Sequence, residues 1–217
     1  PDAVAISFAV PDELEDVFAF MPGQYLTLRA DIDGEDMRRS YSICSALSER
    51  GHRTVGVKRI AEGRFSSFAQ TLKAGDRIEA MPPQGRFTAE IGGNHDYLLL
   101  AAGSGITPCL SIAKSVLAGE PRSTVTQLYA NRNSASVMFR DDLNDLSKAL
   151  NVNPRNTSLV IRRVKKILLV QHPVDRVGAP DECPEIAPVE GQIGGQFGGC
   201  SHQVTLVELL VSSIPIG

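Results

Sequence analysis

The sequence predicts two domains of different class: an antiparallel β-barrel of the Greek-key type, followed by an α/β domain built on a doubly wound parallel sheet. Three observations support this order. Short strand-like segments separated by turn signals fill residues 1–92, which is typical of a barrel. An apolar run then leads into the Gly-rich stretch 103–108. A helical pattern, a second strand and a second helix follow, as in the first half of a doubly wound sheet.

The predicted barrel domain, residues 1–92, contains several strands and one helix. In the first strand, Val4, Ile6 and Phe8 alternate with small or polar residues, which is the period of a half-buried strand. The pair Asp33-Gly34 predicts a tight hairpin turn. Strands are predicted at Val4–Val10, Gln24–Ala30, Arg38–Ser45, Thr54–Ile60 and Arg77–Ala80, and the helix at Phe65–Leu72.

The second domain follows a boundary near Ile91–His95 and is assigned to residues 96–150. Tyr97–Ala102 is apolar without alternation, which predicts a strand covered on both faces. Helices are predicted at Pro108–Leu117 and at Phe139–Leu150, with a strand at Thr124–Ala130 between them.

Residues 151–217 are treated as a divergent C-terminal segment. Leu159–Val170 has the composition of one or two strands, whereas Val174–Gly199 is rich in Pro and Gly and has little periodicity. No fold is predicted for this segment, which is expected to be truncated or out of frame with the rest. We therefore expect the α/β domain to be incomplete.

Composition and charge exclude several classes of function. The net charge is -3, which argues against a nucleic-acid-binding platform. No apolar run approaches the roughly 18 residues of a membrane span, and acidic residues interrupt the start of the chain, where a signal peptide would lie. The cysteines and histidines are scattered, without the spacing of a disulfide framework, an iron–sulfur site or a metal site. We expect a cytoplasmic protein with reduced thiols and no metal site.

The stretch Gly103–Pro108, with the sequence GSGITP, lies directly between an apolar strand and a helix. Glycines let the backbone turn tightly and approach a pyrophosphate, whose charge is then met by free amides at the helix N-terminus. Pro108 suits the first helical turn, where its missing N–H has no consequence. The spacing differs from the usual dinucleotide fingerprint G-x-G-x-x-G. A strand-to-helix turn without a ligand therefore stays open.

The second strand of this domain runs into Asn131 and Arg132. At this place in a dinucleotide-binding fold, an acidic residue binds a ribose 2′-hydroxyl, whereas a basic residue favours a 2′-phosphate. Arg132 and the absence of Asp or Glu favour NADP over NAD. A solvated arginine in a loop is the alternative.

Two segments of the predicted barrel carry groups suited to a larger ligand. Arg39 and Tyr41 share one face of their strand, and Ser40 and Ser42 share the other. A cation, an aromatic ring and small hydroxyls suit a ligand with phosphates and a flat heteroaromatic ring. Gly63–Ser67 stands near the start of the predicted helix, where hydroxyls and amides cap the helix or bind phosphate. Taken separately, an ordinary edge strand and simple capping remain alternatives.

In combination and in this order, Arg39–Ser42, Gly63–Ser67 and Gly103–Pro108 resemble the motifs of the ferredoxin–NADP reductase superfamily. That family joins a FAD-binding barrel to an NAD(P)-binding doubly wound domain. Within it, the chain is similar to the reductase subunit of phenylacetyl-CoA epoxygenase, which belongs to phenylacetate degradation, and to related oxygenase reductases. The resemblance covers roughly residues 1–150, and three motifs in sequence are more specific than any one.

The resemblance implies a role for each motif. Arg39 would meet the FAD pyrophosphate, Tyr41 would pack on the flavin, and Ser42 would lie near its reactive nitrogen, so Tyr41 and Ser42 are the catalytic candidates. Thr107 would lie close enough to touch the flavin. The other predicted cofactor-binding residues are Ser40 on the flavin strand, Val57 and Lys58 on the ribityl side, Gly63, Phe65, Ser66 and Ser67 at the phosphates, Gly103, Ser104, Gly105, Thr107 and Pro108 at the nicotinamide nucleotide, and Asn131 and Arg132 at the adenosine end.

The implied chemistry is hydride transfer from NADPH to FAD, followed by single-electron transfer to a ferredoxin-type or oxygenase partner. The family's Cys-Gly-Pro stretch and the C-terminal ferredoxin domain of the similar branch have no counterpart in residues 151–217. A FAD-binding remnant with a defective nucleotide domain therefore stays open as an alternative. A nucleotide-binding regulatory module without flavin is a third hypothesis.

Overall fold

The computed structural model describes residues 2–150, 157–163, 193–195 and 204–215. An antiparallel, barrel-like sheet is followed by a parallel α/β layer, which confirms the predicted fold classes. The strands are β1 Ala3–Ala9, β2 Tyr25–Ile32, β3 Glu35–Ser42, β4 His52–Lys58, β5 Arg77–Ala80, β6 Asp96–Ala102, β7 Thr124–Asn131, β8 Thr157–Arg163, β9 Ile193–Gly195 and β10 Val204–Pro215. The α-helices are α1 Arg64–Ala69, α2 Ile106–Gly119 and α3 Arg140–Leu150.

Antiparallel pairing orders the strands of the barrel as β3-β2-β5-β10-β1-β4, and β9 pairs with β10. A bridge between Ile43 and Val55 brings the end of β3 beside β4, so the two ends of this path meet. In the β2–β3 hairpin, Asp33 and Gly34 have φ angles of 56° and 79°. Two successive positive φ angles are typical of a type I′ turn. The hairpin turn predicted at Asp33-Gly34 is confirmed.

The two faces of β1 and β4 serve different cores because side chains alternate along a strand. Phe8 of β1 and Val57 of β4 are fully buried inside the barrel. The other face of β1 carries the small residues Ala3 and Ala5, which belong to the core cluster of the α/β layer. The barrel therefore offers a surface of small side chains on which the second domain packs closely.

The barrel includes a strand for which the sequence analysis predicts no structure. β10 lies between β5 and β1, and its buried Val211 stands opposite Phe8. Pairing with β1 extends to Pro215, which stands opposite Val4. Local periodicity cannot show which distant strands an isolated apolar segment will join. Only the completed sheet reveals this partner.

The parallel sheet runs β6-β7-β8, with α2 following β6 and α3 following β7. Right-handed crossovers between strands that progress in one direction place both helices on the same face. Leu99 of β6 is buried on that face with Leu110 of α2. Leu98 and Leu100 are 61% and 66% exposed. The prediction of a strand covered on both faces is therefore wrong for β6, because the described helices lie on one side only.

The third helix begins one residue later than the sequence pattern predicts. Phe139 has a φ of 56°, which no residue inside a right-handed helix adopts. Its carbonyl accepts the hydrogen bond from the amide of Leu143 at 2.9 Å, so Phe139 precedes the helix. The prediction that Phe139 is a helical residue is wrong, although Leu143 and Leu146 pack in the core as predicted. No helix within the described ranges is long and apolar enough to cross a lipid bilayer.

Candidate cofactor sites at the domain interface

The α/β layer is held against the end of β3 by hydrogen bonds. Ser111 Oγ of α2 donates to the carbonyl of Ser45 at 2.7 Å, and the amide of Leu47 donates to Ser115 Oγ at 3.1 Å. Cys44, between these contacts and β3, is buried in the core of the α/β layer. The strand that carries the predicted flavin residues therefore ends at the domain interface.

Tyr41 on β3 packs against the helix that carries the predicted phosphate-binding residues. The rings of Tyr41 and Phe65 have centroids 5.9 Å apart. Burial raises the pKa of Tyr41, and the charge of the Arg39 guanidinium opposes that rise. Arg39 is exposed, and its Nη1 donates to the carbonyl of Arg38. Among the described residues Arg39 pairs with no carboxylate, whereas Arg38 pairs with Asp36.

The turn before α1 leaves amides available at the start of the helix. The first amides of an α-helix have no acceptor within the helix. Gly63 is the N-cap of α1 and supplies no side-chain acceptor for them. Ser66 is buried, and its Oγ donates to the carbonyl of Gly63 at 3.0 Å and accepts from the amide of Ile60 at 3.1 Å. A β-carbon at Gly63 would lie 2.5 Å from that oxygen. Phe65 and Ser66 can therefore meet a ligand only through the backbone, whereas Ser67 is exposed.

The remaining residues predicted to line the flavin are separated by the pleat of the sheet. Ser42 is half-buried at the end of β3, and Ser40 Oγ lies 3.0 Å from Thr27 Oγ1. Val57 is fully buried in the barrel core. The neighbouring Lys58 extends towards the α/β layer, where its Nζ donates to the carbonyl of Ser136 at 3.0 Å. The structure thus brings Lys58 together with the segment after β7 and separates it from Val57.

Gly103–Gly105 forms a short turn between β6 and α2. Gly103 has a φ of 53°, a left-handed conformation that glycine adopts readily. A β-carbon added at Gly103 or at Gly105 would meet no atom within 4 Å. Ser104 and Gly105 are exposed, and Pro108 lies in the first turn of α2. The open space beside the loop suits the close approach of a pyrophosphate.

Thr107 and Tyr129 hold the two ends of this loop. Thr107 is buried, and its Oγ1 donates to the carbonyl of Ser104 at 3.0 Å. The Tyr129 hydroxyl donates to the carbonyl of Gly103 at 2.9 Å and accepts from the amide of Met138 at 3.2 Å. Tyr129 is not among the site residues predicted from the sequence. The available signal was a tyrosine inside a buried strand, since a buried phenol usually finds a hydrogen-bond partner.

Asn131 has an unsatisfied side chain at the carboxyl end of β7. The residue is 7% exposed, and within the described ranges neither its Oδ1 nor its Nδ2 has a hydrogen-bond partner of normal geometry. Burial raises the pKa of the adjacent Tyr129, while the Met138 amide and the Asn131 side chain lower it. Buried polar atoms without partners are rare in native proteins. Asn131 therefore has hydrogen-bonding capacity left that suits a polar ligand.

Two cations face one cavity between the barrel and the segment after β7. The cavity has a volume of about 330 Å³ and is lined by Lys58, Arg132 and Asp2. Burial and the charge of Arg132 lower the pKa of Lys58, against the effect of Asp2. Asp2 lies 3.6 Å from Arg59, whereas Lys58 and Arg132 pair with no carboxylate in the described part of the chain. This charge distribution favours an anionic ligand.

The two thiols nearest the interface are structural. Cys44 and Cys109 are each 2% exposed. Burial raises the pKa of Cys44 to about 12 and that of Cys109 to about 11. Neither thiol forms an appreciable amount of thiolate near neutral pH, so neither is a nucleophile.

Comparison with known protein families identifies two cofactor-binding domains in the same order as the barrel and the α/β layer. Residues 1–89 match the oxidoreductase FAD-binding domain family, and residues 99–166 match the oxidoreductase NAD-binding domain family. The chain belongs to the ferredoxin–NADP reductase family. The predicted resemblance to this family, and the order of its two domains, are confirmed.

Two relatives of this ferredoxin–NADP reductase-type chain are oxygenase components. It is 49% identical over 150 residues to a component of the 1,2-phenylacetyl-CoA epoxidase of Escherichia coli, covering 67% of this chain and 41% of that protein. It is 42% identical over 149 residues to the ferredoxin reductase component of 3-ketosteroid-9-alpha-monooxygenase from Rhodococcus rhodochrous, covering 68% and 42%. The matched segment thus spans less than half the length of either relative.

Solved structures of the family share the fold. Ferredoxin-NADP+ reductase from Plasmodium falciparum, solved with 2'P-AMP, has a TM-score of 0.58 at 21% identity, covering 74% of this chain and 72% of that one. Phthalate dioxygenase reductase has a TM-score of 0.58 at 26% identity, covering 74% of this chain and 47% of that one. These matches extend the family likeness to the arrangement of barrel and α/β layer.

Proposed function

We propose that this chain is an NADPH-dependent flavin reductase that passes electrons to an iron–sulfur protein or an oxygenase. The observation that carries the proposal is that the two predicted cofactor motifs both adjoin strand β4. A β-carbon at Gly56 of β4 would lie 2.8 Å from Thr107 Cγ2. Ile43, which follows Ser42, bridges to Val55 on the same strand. The ends of the two motifs therefore meet on β4.

On the barrel side, the residues fit a flavin dinucleotide. Arg39, which pairs with no carboxylate among the described residues, would bind the pyrophosphate with the first amides of α1, and the half-buried Tyr41 would pack on the ring. Ser42, at the domain end of β3, would donate its hydroxyl to the reactive edge of the flavin. When bound, FAD supplies the acceptance of a hydride and the release of single electrons, which protein side chains cannot do.

On the α/β side, the residues fit a nicotinamide dinucleotide. The loop Gly103–Gly105 would bind the pyrophosphate, and Thr107 would lie next to the flavin face. Asn131 would satisfy its buried amide on the adenosine end. Arg132 and Lys58 would bind the 2′-phosphate that distinguishes NADPH from NADH. The support for NADPH is the pair of cations in one cavity and the absence of an acidic residue directly after β7.

The nature of the partner is proposed from the relatives. The Escherichia coli relative is a component of an epoxidase, and the Rhodococcus relative is a ferredoxin reductase component of a monooxygenase. The phthalate dioxygenase reductase structure is described as transferring electrons from pyridine nucleotides to [2Fe-2S]. An iron–sulfur protein or an oxygenase is accordingly the acceptor we propose for this chain.

The test is the visible absorption spectrum of the purified chain, reconstituted with FAD and then titrated with NADPH or NADH without oxygen. We expect a flavin band that NADPH bleaches at lower concentration than NADH. A bound flavin that neither nucleotide reduces would favour the alternative of a FAD-binding remnant. Failure to bind FAD at all would overturn the assignment of the flavin site.

A further inference from the structure

We propose that Phe139 is a positioning residue, which sets the distance between the loop Gly103–Pro108 and strand β4. The inference deepens the proposed function and rests on it. Phe139 has no polar side-chain atom and is not one of the residues predicted to bind either cofactor. Its effect would be exerted through Thr107, at the end of the loop that is proposed to bind the nicotinamide nucleotide.

The backbone of Phe139 is held in a conformation that a bulky side chain rarely adopts. Its φ is 56°, and such residues persist only where the surrounding structure determines them. The residue is 4% exposed. Starting a helix does not require this conformation, because most helix N-caps are extended. The packing position of the Phe139 ring therefore accounts for the left-handed backbone.

The ring packs in the space that is free because Gly56 has no side chain. A β-carbon at Gly56 would lie 2.8 Å from Phe139 Cζ, 2.9 Å from Phe139 Cε2 and 2.8 Å from Thr107 Cγ2. Real β-carbons essentially never approach other atoms below 3.0 Å. The ring and the Thr107 methyl thus both rest on the backbone of β4. They can do so only because residue 56 is glycine.

Residues 138 and 139 are linked to the two ends of the nucleotide loop, Met138 through the Tyr129 hydroxyl and Phe139 beside Thr107. The amide of Met138 donates to the Tyr129 hydroxyl, which in turn donates to the carbonyl of Gly103. Phe139 packs at the Thr107 end. Because one short segment holds the loop at both ends, the loop stays at a fixed distance from β4. Catalytic rates are sensitive to displacements of this kind, about 100-fold for 1 Å.

Three variants test the role. Phe139→Leu removes the ring atoms that touch β4, and Gly56→Ala fills the gap and displaces the ring. In the double variant Gly56→Ala/Phe139→Leu, the new methyl no longer meets Cζ or Cε2. Gly119→Ala is a matched control, because its β-carbon would lie 2.8 Å from Ile91 Cγ2, away from the loop. It reports how much overpacking alone lowers the stability.

We expect both single variants to keep FAD and to lower the limiting rate of flavin reduction by NADPH about tenfold. The dissociation constant for NADP+ should change less than the rate, and the double variant should recover part of the rate. Hydrogen exchange of the amides of residues 103–107 should rise about tenfold in the single variants and stay unchanged in Gly119→Ala. This last readout needs no cofactor.

Two failures are therefore distinguishable. If NADPH does not reduce the wild-type flavin, the proposed function fails, and hydrogen exchange still decides whether Phe139 holds the loop. If the Phe139 and Gly56 variants show the same rate and the same loop exchange as Gly119→Ala, the side chain only fills space. That result would overturn the positioning role.

Discussion

The hydroxyl of Tyr129 donates a hydrogen bond to the carbonyl of Gly103 at 2.9 Å and so ties β7 to the loop before α2. The same oxygen accepts from the amide of Met138 at 3.2 Å. One phenol, on a residue that is 1% exposed, thus joins β7 to the loop before α2 and to the segment that follows β7. The glycine-rich loop receives its fixed position from this buried group as well as from its own glycines.

Replacement of Tyr129 by Phe should loosen the loop without emptying the barrel site. The change leaves the Gly103 carbonyl and the Met138 amide without this partner, which costs about 1–3 kcal/mol per buried group. We expect a lower free energy of unfolding in urea and a several-fold higher dissociation constant for NADP+, with unchanged FAD content. Tyr25→Phe is the control, because the Tyr25 hydroxyl has no hydrogen bond among the described residues. Equal effects in both variants would refute the role of the hydroxyl.

Arg132 should determine the preference for NADPH. A charge-assisted hydrogen bond contributes about 1.5–3 kcal/mol, which is about a 10- to 100-fold effect on binding. Arg132→Ala is expected to reduce the ratio of kcat/KM for NADPH over NADH by that factor, mainly through NADPH. Arg122→Ala removes the same charge at the opposite end of β7 and should leave the ratio unchanged. A ratio that is unaltered in Arg132→Ala would contradict the assignment.

Arg39 and its neighbour Arg38 form a matched pair for testing the flavin site. Arg38 is engaged with Asp36 at 3.5 Å, whereas Arg39 is exposed and pairs with no carboxylate within the described ranges. Arg39→Ala should raise the dissociation constant for FAD at least about tenfold, since a guanidinium–phosphate contact is a strong charge-assisted interaction. Arg38→Ala should have a much smaller effect. Flavin fluorescence on dilution measures both, and comparable losses would disprove the selective role of Arg39.

Glu120 holds the connection between the two domains. Its carboxylate accepts from the amides of Gly92 and Gly93 at 2.8 and 3.0 Å and from the hydroxyls of Tyr97 and Ser123. The hydrogen bond from Ser123, followed by those from the Gly93 and Gly92 amides, lowers the pKa of Glu120 to about 2, against the opposing effect of burial. The linker is therefore fixed to the end of α2 by the charged form of this group.

The lowered pKa of Glu120 predicts a specific loss of stability in acid. Because the folded pKa of about 2 lies below the ordinary value of 4.5, the contribution is complete above about pH 4.5 and disappears as the pH falls towards 2. Glu120→Gln should be less stable at neutral pH and should show a flatter dependence of the urea midpoint on pH in this window. Glu90→Gln, on the exposed side of the same linker, is the control. An unchanged slope in Glu120→Gln would exclude this account.

Much of the candidate site was predictable because its signals are local. The motif Gly103–Pro108 combines a turn, a helix start and a preceding apolar strand within a few residues. The hairpin at Asp33-Gly34 follows in the same way from the residues that tolerate positive φ. The contact of Lys58 with the segment after β7 was not predictable. Alternation along a strand shows that Lys58 projects to the opposite face from its sequence neighbours, but it does not show which distant segment lies on that face. Arg132, which lines the same cavity as Lys58, lies 74 positions further along the printed chain.

The order of a barrel and an α/β layer, and the location of the glycine-rich loop between β6 and α2, follow from the amino-acid sequence alone. These features depend on alternation, on glycine and on apolar runs, which act over short stretches of chain. Three features become visible only in the folded molecule: β10 pairs with β1, Phe139 precedes the helix and packs on Gly56, and Lys58 lines one cavity with Arg132. Each of these is a contact between distant segments, and its free energy exists only when packing brings both partners together.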